Sequence, residues 1–271
     1  MLLMNRDYPL SISLDQNTYR NAEEFAKAGF EAAECCLPTY YRDPVDLSIF
    51  EPFLNEVYPH IRAAGLRIAA YHLPFGTYWD LSSPDEAIRT AAVEANAALI
   101  RLLAPLEGGN VVIHPSFEPI GEAEREAHIA ACQKSLRELG PIAGKFGKRI
   151  ALENLPRTCL GRTSQEMERL TEGGALCGIC MDTTHMFHET PQAFLQRCGR
   201  WVINTHLSDY LNGQNECHWV PGTGSLNWRE ILENLAALGY AGTYNFEVFK
   251  YAPLEILGGL KNALSRPGPE S

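Results

Sequence analysis

Eight short apolar or β-rich runs recur along the chain, with helix-like segments between them. They are LSISLD (10–15), AAECCL (32–37), RIAAYHLP (67–74), NVVIHP (110–115), RIALENLP (149–156), LCGICMD (176–182), WVINTHLSD (201–209) and TYNFEVF (243–249). Strands that alternate with helices pair in parallel through crossovers. Two of the intervening segments open on S/T-x-x-E patterns, Ser83 to Glu86 and Thr163 to Glu166, which predict capping boxes. Eight β/α units in about 250 residues match the size of a closed (β/α)8 barrel. A doubly wound sheet would hold the same number of strands but gives no reason for the polar residues at their ends. The expectation is an α/β fold, one single (β/α)8 TIM barrel over 1–271, with a flexible tail at 265–271 (SRPGPES).

Read to their carboxyl ends, the runs deliver His72, His114, Glu153, Asp182 with His185, His206 with Asp209, and Glu247, each after apolar residues. In a barrel these positions face the mouth where such enzymes keep their active sites. A single histidine there is more simply a hydrogen-bonded structural residue, which is the reading for His128 and His188. The set as a whole resists that account, because converging buried carboxylates repel one another unless a cation neutralises them. Glu153, Asp182, His206 and Glu247 are therefore the predicted metal ligands, three oxygen donors and one nitrogen. Such a set favours Mn2+, with Mg2+, Co2+ or Zn2+ as alternatives.

Composition enters mainly by exclusion. No apolar stretch approaches the length of about 20 residues needed to span a membrane, and the amino terminus MLLMNRDYPL lacks signal-peptide character. A cytoplasmic location is expected. Eight cysteines, two of them adjacent (Cys35, Cys36), read as reduced core residues rather than disulfides. Cys177 and Cys180 form a C-x-x-C inside a strand, where positions three apart face opposite ways, so they too read as core. A formal net charge of −10 opposes non-specific binding to nucleic acid.

At these strand ends the chain resembles the xylose-isomerase-like TIM-barrel superfamily, which contains sugar and sugar-phosphate isomerases and epimerases and also endonuclease IV. The resemblance rests on HLPFG, IHP, LEN, MDTTH, THLSD, PGTG with Trp228, and FEV in combination. It implies that Glu153 and Glu247 form the catalytic acid/base pair of a metal-dependent isomerase or epimerase. The implied substrate is a sugar, sugar phosphate or related polyol, handled by proton transfer through an enediolate. Two departures separate the chain from ketose 3-epimerases: ENLPRTC places Arg157 and Cys159 where a substrate-binding glutamate is common, and ECHWVPGTG lacks an arginine before its PG.

The same departures favour an alternative, an endonuclease IV-like phosphodiester hydrolase. Its metal positions are matched by the four residues above together with His72, His114, His185, Glu216 and His218. A catalytically silent metal-binding or partner subunit is the third class. Arg157 and His185 are candidate substrate contacts, and Tyr71, Phe75, Trp79, Phe117 and Trp219 are candidates for an apolar wall. HLPFGTYWDLSS (72–83) is read as a loop over the mouth. Partners are expected to be a small carbohydrate substrate and, compatibly with the sequence, further copies of the chain, with neither membrane nor nucleic acid.

Overall fold

The computed structural model describes residues 8–39, 46–172, 177–211 and 216–265. Eight strands form one parallel sheet: β1 (Leu10–Leu14), β2 (Ala32–Cys36), β3 (Arg67–His72), β4 (Asn110–Ile113), β5 (Arg149–Glu153), β6 (Cys177–Asp182), β7 (Val202–His206) and β8 (Tyr244–Phe246). Neighbours in sequence are neighbours in space from β1 to β7, and β8 pairs with β1. Closure between β7 and β8 comes just past the strands, through a parallel bridge between Leu207 and Phe246 and the bond from Leu207 N to Asn245 O at 2.8 Å. All eight predicted strands are present, each slightly shorter than its apolar run. Most of the expected tail, 266–271, lies outside the described residues.

Helices α1 (Ala22–Lys27), α2 (Phe50–Ala63), α3 (Glu86–Leu102), α4 (Arg125–Lys145), α5 (Ser164–Glu172), α6 (Pro191–Cys198), α7 (Trp228–Ala237) and α8 (Pro253–Ser265) follow the strands in turn. Of the two predicted capping boxes, one is displaced. The α3 cap is Asp85, whose carboxylate accepts from Ala87 N and Ile88 N, because the chain is still extended at that residue and turns helical only at Glu86. At α5, Thr163 Oγ1 does accept from Glu166 N at 3.3 Å. Glu166, however, turns to Arg125 and to Gly161 N instead of reaching back.

Two apolar layers result. The larger lies between strands and helices and holds Ile12, Phe50, Leu152, Ile179, Trp228 and Phe246 among others. The smaller fills the barrel itself, with Ala70, Val112, Ala151 and Cys180 and the partly buried Ile203 against them. Side chains alternate along a strand, so the residue two positions beyond an inward core residue also points inward, one layer nearer the mouth. From Ala70, Val112, Ala151 and Cys180 this step leads to His72, His114, Glu153 and Asp182. The barrel filling and the site are thus successive layers of one pattern. Small residues lie below the polar layer, with the buried Glu34 among them at the register of Ala70.

Candidate metal centre at the barrel mouth

Glu153, Asp182, His206 and Glu247 come together, each buried, with one donor atom apiece mutually within 4.8 Å. His206 Nδ1 is 3.1 Å from Glu153 Oε1, 3.1 Å from Glu247 Oε2 and 3.8 Å from Asp182 Oδ2. The MDTTH turn explains how Asp182 is presented. Its Oδ1 accepts from Thr184 N, Thr184 Oγ1 and His185 N at 2.6, 3.0 and 3.1 Å, which folds the chain back over the strand end. Its Oδ2 is buried without a hydrogen-bond partner, as is Glu247 Oε2. Asn154, the last residue of LEN, clamps β5 to β6: its Oδ1 accepts from Asp182 N at 2.7 Å and its Nδ2 donates to Asp182 O at 3.0 Å.

Three histidines repeat one arrangement. One ring nitrogen of each meets an acceptor: His72 Nδ1 with Leu73 O (2.8 Å), His185 Nδ1 with Asn154 O (2.9 Å) and His206 Nε2 with Glu34 Oε1 (2.8 Å). The other faces carboxylate oxygen: His72 Nε2 is 3.1 Å from Glu153 Oε2, and His185 Nε2 is 3.2 Å from Glu216 Oε1. A neutral imidazole carries one N–H. Each facing pair is therefore favourable only if the ring is protonated or a cation stands between the lone pairs.

The electrostatics agree. Burial pushes the Asp182 carboxyl up to about 6, with Glu247 and Glu153 adding to the rise against His185. Burial would also raise Glu153 and Glu247, but the facing imidazoles, His206 and His114 for the first and His206 and His218 for the second, hold both below the usual carboxylate range. His206 is held well above its ordinary value: burial opposes its charge, yet Cys180, Glu247, Glu34 and Glu153 outweigh it. Taking an ion out of water costs several kcal/mol even after relaxation, against about 5–15 kcal/mol for a whole domain. A cluster of this kind demands compensation, and two buried oxygens without a hydrogen bond beside an aromatic nitrogen suit a divalent cation.

Around this centre the remaining predicted residues form two further groups. His72, His114 and Glu153 make one, with His114 Nε2 3.1 Å from Glu153 Oε2. His185, Glu216 and His218 make the other. Glu216 and His218 arrive on the β7–α7 connection, where Asp209 pairs with Trp219 as an antiparallel bridge. Asp209, a strand-end carboxylate like the others, is spent on this loop: it accepts from Trp228 Nε1 (2.8 Å), Gly222 N (2.7 Å) and Tyr210 N (2.9 Å). The PGTG glycines are needed there, because a Cβ at Gly224 would collide with Tyr210 O and Asp209 Oδ1.

Arg157 sits on the rim in a left-handed conformation (φ 53°), the only non-glycine residue with positive φ among those described. Its donors are taken by Glu118 (2.6 Å) and by Glu216 (2.7 Å). What it offers the site directly is the placement of Glu216. The cavity above the cluster, about 340 Å3, is lined by Phe75, Phe249, Cys36, Leu37 and Gln16 as well as Glu153, Glu216, Glu247 and the site histidines other than the fully buried His206. Of the predicted aromatic wall, Phe75 takes its place, stacked on His114 at 4.5 Å. Tyr71 and Trp79 are instead core residues. The 72–83 segment likewise packs inward after Phe75, with Leu81 and Ser82 fully buried, because its apolar residues find the α2 and α3 side of the core.

Glu34 was not singled out by the sequence reading, yet it is fully buried and touches His206. Its signal was present in AAECCL: a carboxylate amid apolar residues, which needs a partner for the same reason Asp182 does. Phe249, three residues beyond β8, carried no distinguishing signal.

Fold and site together define a (β/α)8 barrel with a carboxylate–histidine centre at its carboxyl-terminal face. The chain belongs to the xylose isomerase-like TIM barrel family, whose sequence profile matches residues 22–265. An uncharacterised protein of Methanocaldococcus jannaschii is 28% identical over 246 residues, covering 87% of this chain and 80% of the relative. The D-psicose 3-epimerase of Ruminiclostridium cellulolyticum is 27% identical over 243 residues, covering 84% and 76%. Among solved structures, a D-tagatose 3-epimerase-like protein superimposes with a TM-score of 0.75 at 24% identity, covering 94% of this chain and 97% of the other. That last likeness speaks to the fold alone. Among the described residues, no helix is long and apolar enough to cross a membrane.

Proposed function

We propose that this protein is a divalent-metal-dependent isomerase or epimerase acting on a sugar, sugar phosphate or related polyol. The observation that carries the reading is the pair of buried oxygens that accept no hydrogen bond, Asp182 Oδ2 and Glu247 Oε2, converging with Glu153 and His206 at the mouth of the barrel. Glu153, Asp182, His206 and Glu247 would hold the cation, with Mn2+ the best match to the mixed donors. Bound there, it would polarise a substrate carbonyl and offset the charge of an enediolate.

Glu153 and Glu247 reach the reacting carbons from different strands and move the proton. Glu247, at the more open edge, has a side chain 11% exposed, whereas that of Glu153 is 1% exposed and ringed by imidazoles. Phe75 and Phe249 would cover the C–H faces of a sugar and keep bulk water from the exchanging proton. The relationship to a D-psicose 3-epimerase supports carbohydrate as the substrate class.

The experiment is a screen of ketoses, aldoses and their phosphates with Mn2+ in deuterated water, followed by Glu153→Gln and Glu247→Gln on any substrate found. Each substitution should reduce turnover by about 10²- to 10⁴-fold. Full turnover in both variants, with Mn2+ still bound, ends the reading.

A second reading has its own observation: the groups at His72/His114/Glu153 and His185/Glu216/His218 adjoin the first, enough donors for three cations and phosphodiester hydrolysis. The charge of −10 weighs against a DNA substrate. Chelator-sensitive, zinc-restored cleavage of duplex DNA containing an abasic site would establish it in place of the first.

A further inference from the structure

Glu34 occupies an inward position of β2 in register with Ser13 of β1 and Ala70 of β3, one layer beneath the residues at the mouth. From there its Oε1 meets His206 Nε2 at 2.8 Å and accepts from Ser13 Oγ at 3.2 Å, while Oε2 accepts from Asn204 Nδ2 at 2.9 Å. Asn245 Nδ2 donates to Ser13 Oγ at 2.8 Å, extending the network to β8. A carboxylate buried in a barrel floor is expensive. Two of the groups aimed at it, His206 Nε2 and Asn204 Nδ2, belong to β7, which also delivers His206 to the site.

We propose that Glu34 is a positioning residue for the cation centre. By accepting the Nε2–H of His206 it sets the orientation and tautomer of the ring, so that the Nδ1 lone pair turns toward Glu153, Asp182 and Glu247. The inference rests on the cation reading of that cluster. Its force lies in a contrast among the histidines: His72 and His185 are anchored by backbone carbonyls, whereas His206 is anchored by an anion. A carbonyl orients an imidazole. A carboxylate also makes its free nitrogen a stronger donor, and outer partners of this kind are typically worth about 10- to 100-fold in metal affinity. Glu34 itself is screened from the cation by the ring it holds.

The test uses the full-length, chelator-treated protein titrated with Mn2+ by calorimetry, comparing wild type with Glu34→Gln, Glu34→Ala and Ser13→Ala. The expected result is about 10- to 100-fold weaker binding for Glu34→Ala, a smaller loss for Glu34→Gln, and unchanged affinity for Ser13→Ala, which disturbs the network without touching His206. In the Zn2+-loaded wild type, 15N-histidine spectra should show His206 protonated at Nε2 and ligated through Nδ1. That measurement decides the question even if the Glu34 variants do not fold.

Folded Glu34 variants that bind Mn2+ like wild type would overturn the proposal. So would an equal loss in Ser13→Ala, or ligation through Nε2. If wild type binds Mn2+ and only these expectations fail, the cation centre stands without Glu34's role. If wild type binds no Mn2+, both readings fall together.

Discussion

The inner cluster and the outer cluster of the mouth use the same residue types in opposite ways. Glu153, Asp182, His206 and Glu247 are fixed at strand ends or immediately beyond, buried, and two of their oxygens accept no hydrogen bond, although imidazole nitrogens face both at 3.1 to 3.8 Å. In the outer group only His185 follows a strand closely. Glu216 and His218 stand on a loop, and Glu216 is already paired with Arg157, His185 and His218. The difference teaches where the protein has left charge for something else to neutralise. Strand ends have little freedom to relieve their own repulsion, so the inner set is where the proposed cation would act. The loop-borne carboxylate has recruited an arginine and satisfies itself.

The largest effects should therefore come from the inner set. Alongside the loss of turnover in Glu153→Gln and Glu247→Gln, Asp182→Asn should weaken Mn2+ binding by more than about 100-fold, the upper end for outer partners. Calorimetry or electron paramagnetic resonance would read this. Binding undiminished in Asp182→Asn would erase the distinction between the clusters.

Next comes Arg157→Ala. If the outer group only shapes the pocket, this variant keeps inner-site Mn2+ affinity and raises KM for a sugar by about 10-fold, the scale of a lost interaction of 1.4 kcal/mol, with kcat nearly unchanged. A loss of one bound metal ion, counted by elemental analysis, would instead make the outer group a second cation site.

The smallest effect is on stability against pH in the cation-free protein. His185, raised to about 10, and His218, raised to about 9, owe their shifts to facing carboxylates that outweigh burial. Their stabilisation is complete below the ordinary histidine value of 6.5 and is lost as pH rises through those values. Asp182, raised to about 6 chiefly by burial, changes stability in the same direction between its ordinary 3.8 and about 6. Glu153, Glu216 and Glu247, all lowered, act the other way and are felt only in acid. The melting temperature of chelated protein should fall between pH 7 and pH 10, and His218→Gln should flatten the part near pH 9. A profile that rises over this range would mean that the outer histidines are not held charged by their neighbours.

Much of this was legible in the chain. A run such as RIALENLP is apolar without a break from Ile150 up to its glutamate, and that glutamate needs no long-range knowledge to be placed at a mouth once eight such runs imply a barrel. Asp182 and His206 followed by the same logic. Two further residues have partners that the chain did not announce. Asp209, at a strand end, organises the PGTG loop, and Arg157, a candidate substrate contact, is bound to two glutamates.

What the sequence determined by itself was the number of strands and the accumulation of carboxylates and imidazoles at one end. Those follow from the recurrence of apolar runs between helix-like segments and from the cost of burying charge, both local properties. The tertiary structure alone decided which atoms meet. The stagger between β1, β2 and β7 sets Glu34 a layer below His206, and the return of the β7–α7 loop carries Glu216 to Arg157, 59 residues away in sequence. Register and loop path depend on how all eight strands close at once, and no single segment encodes them.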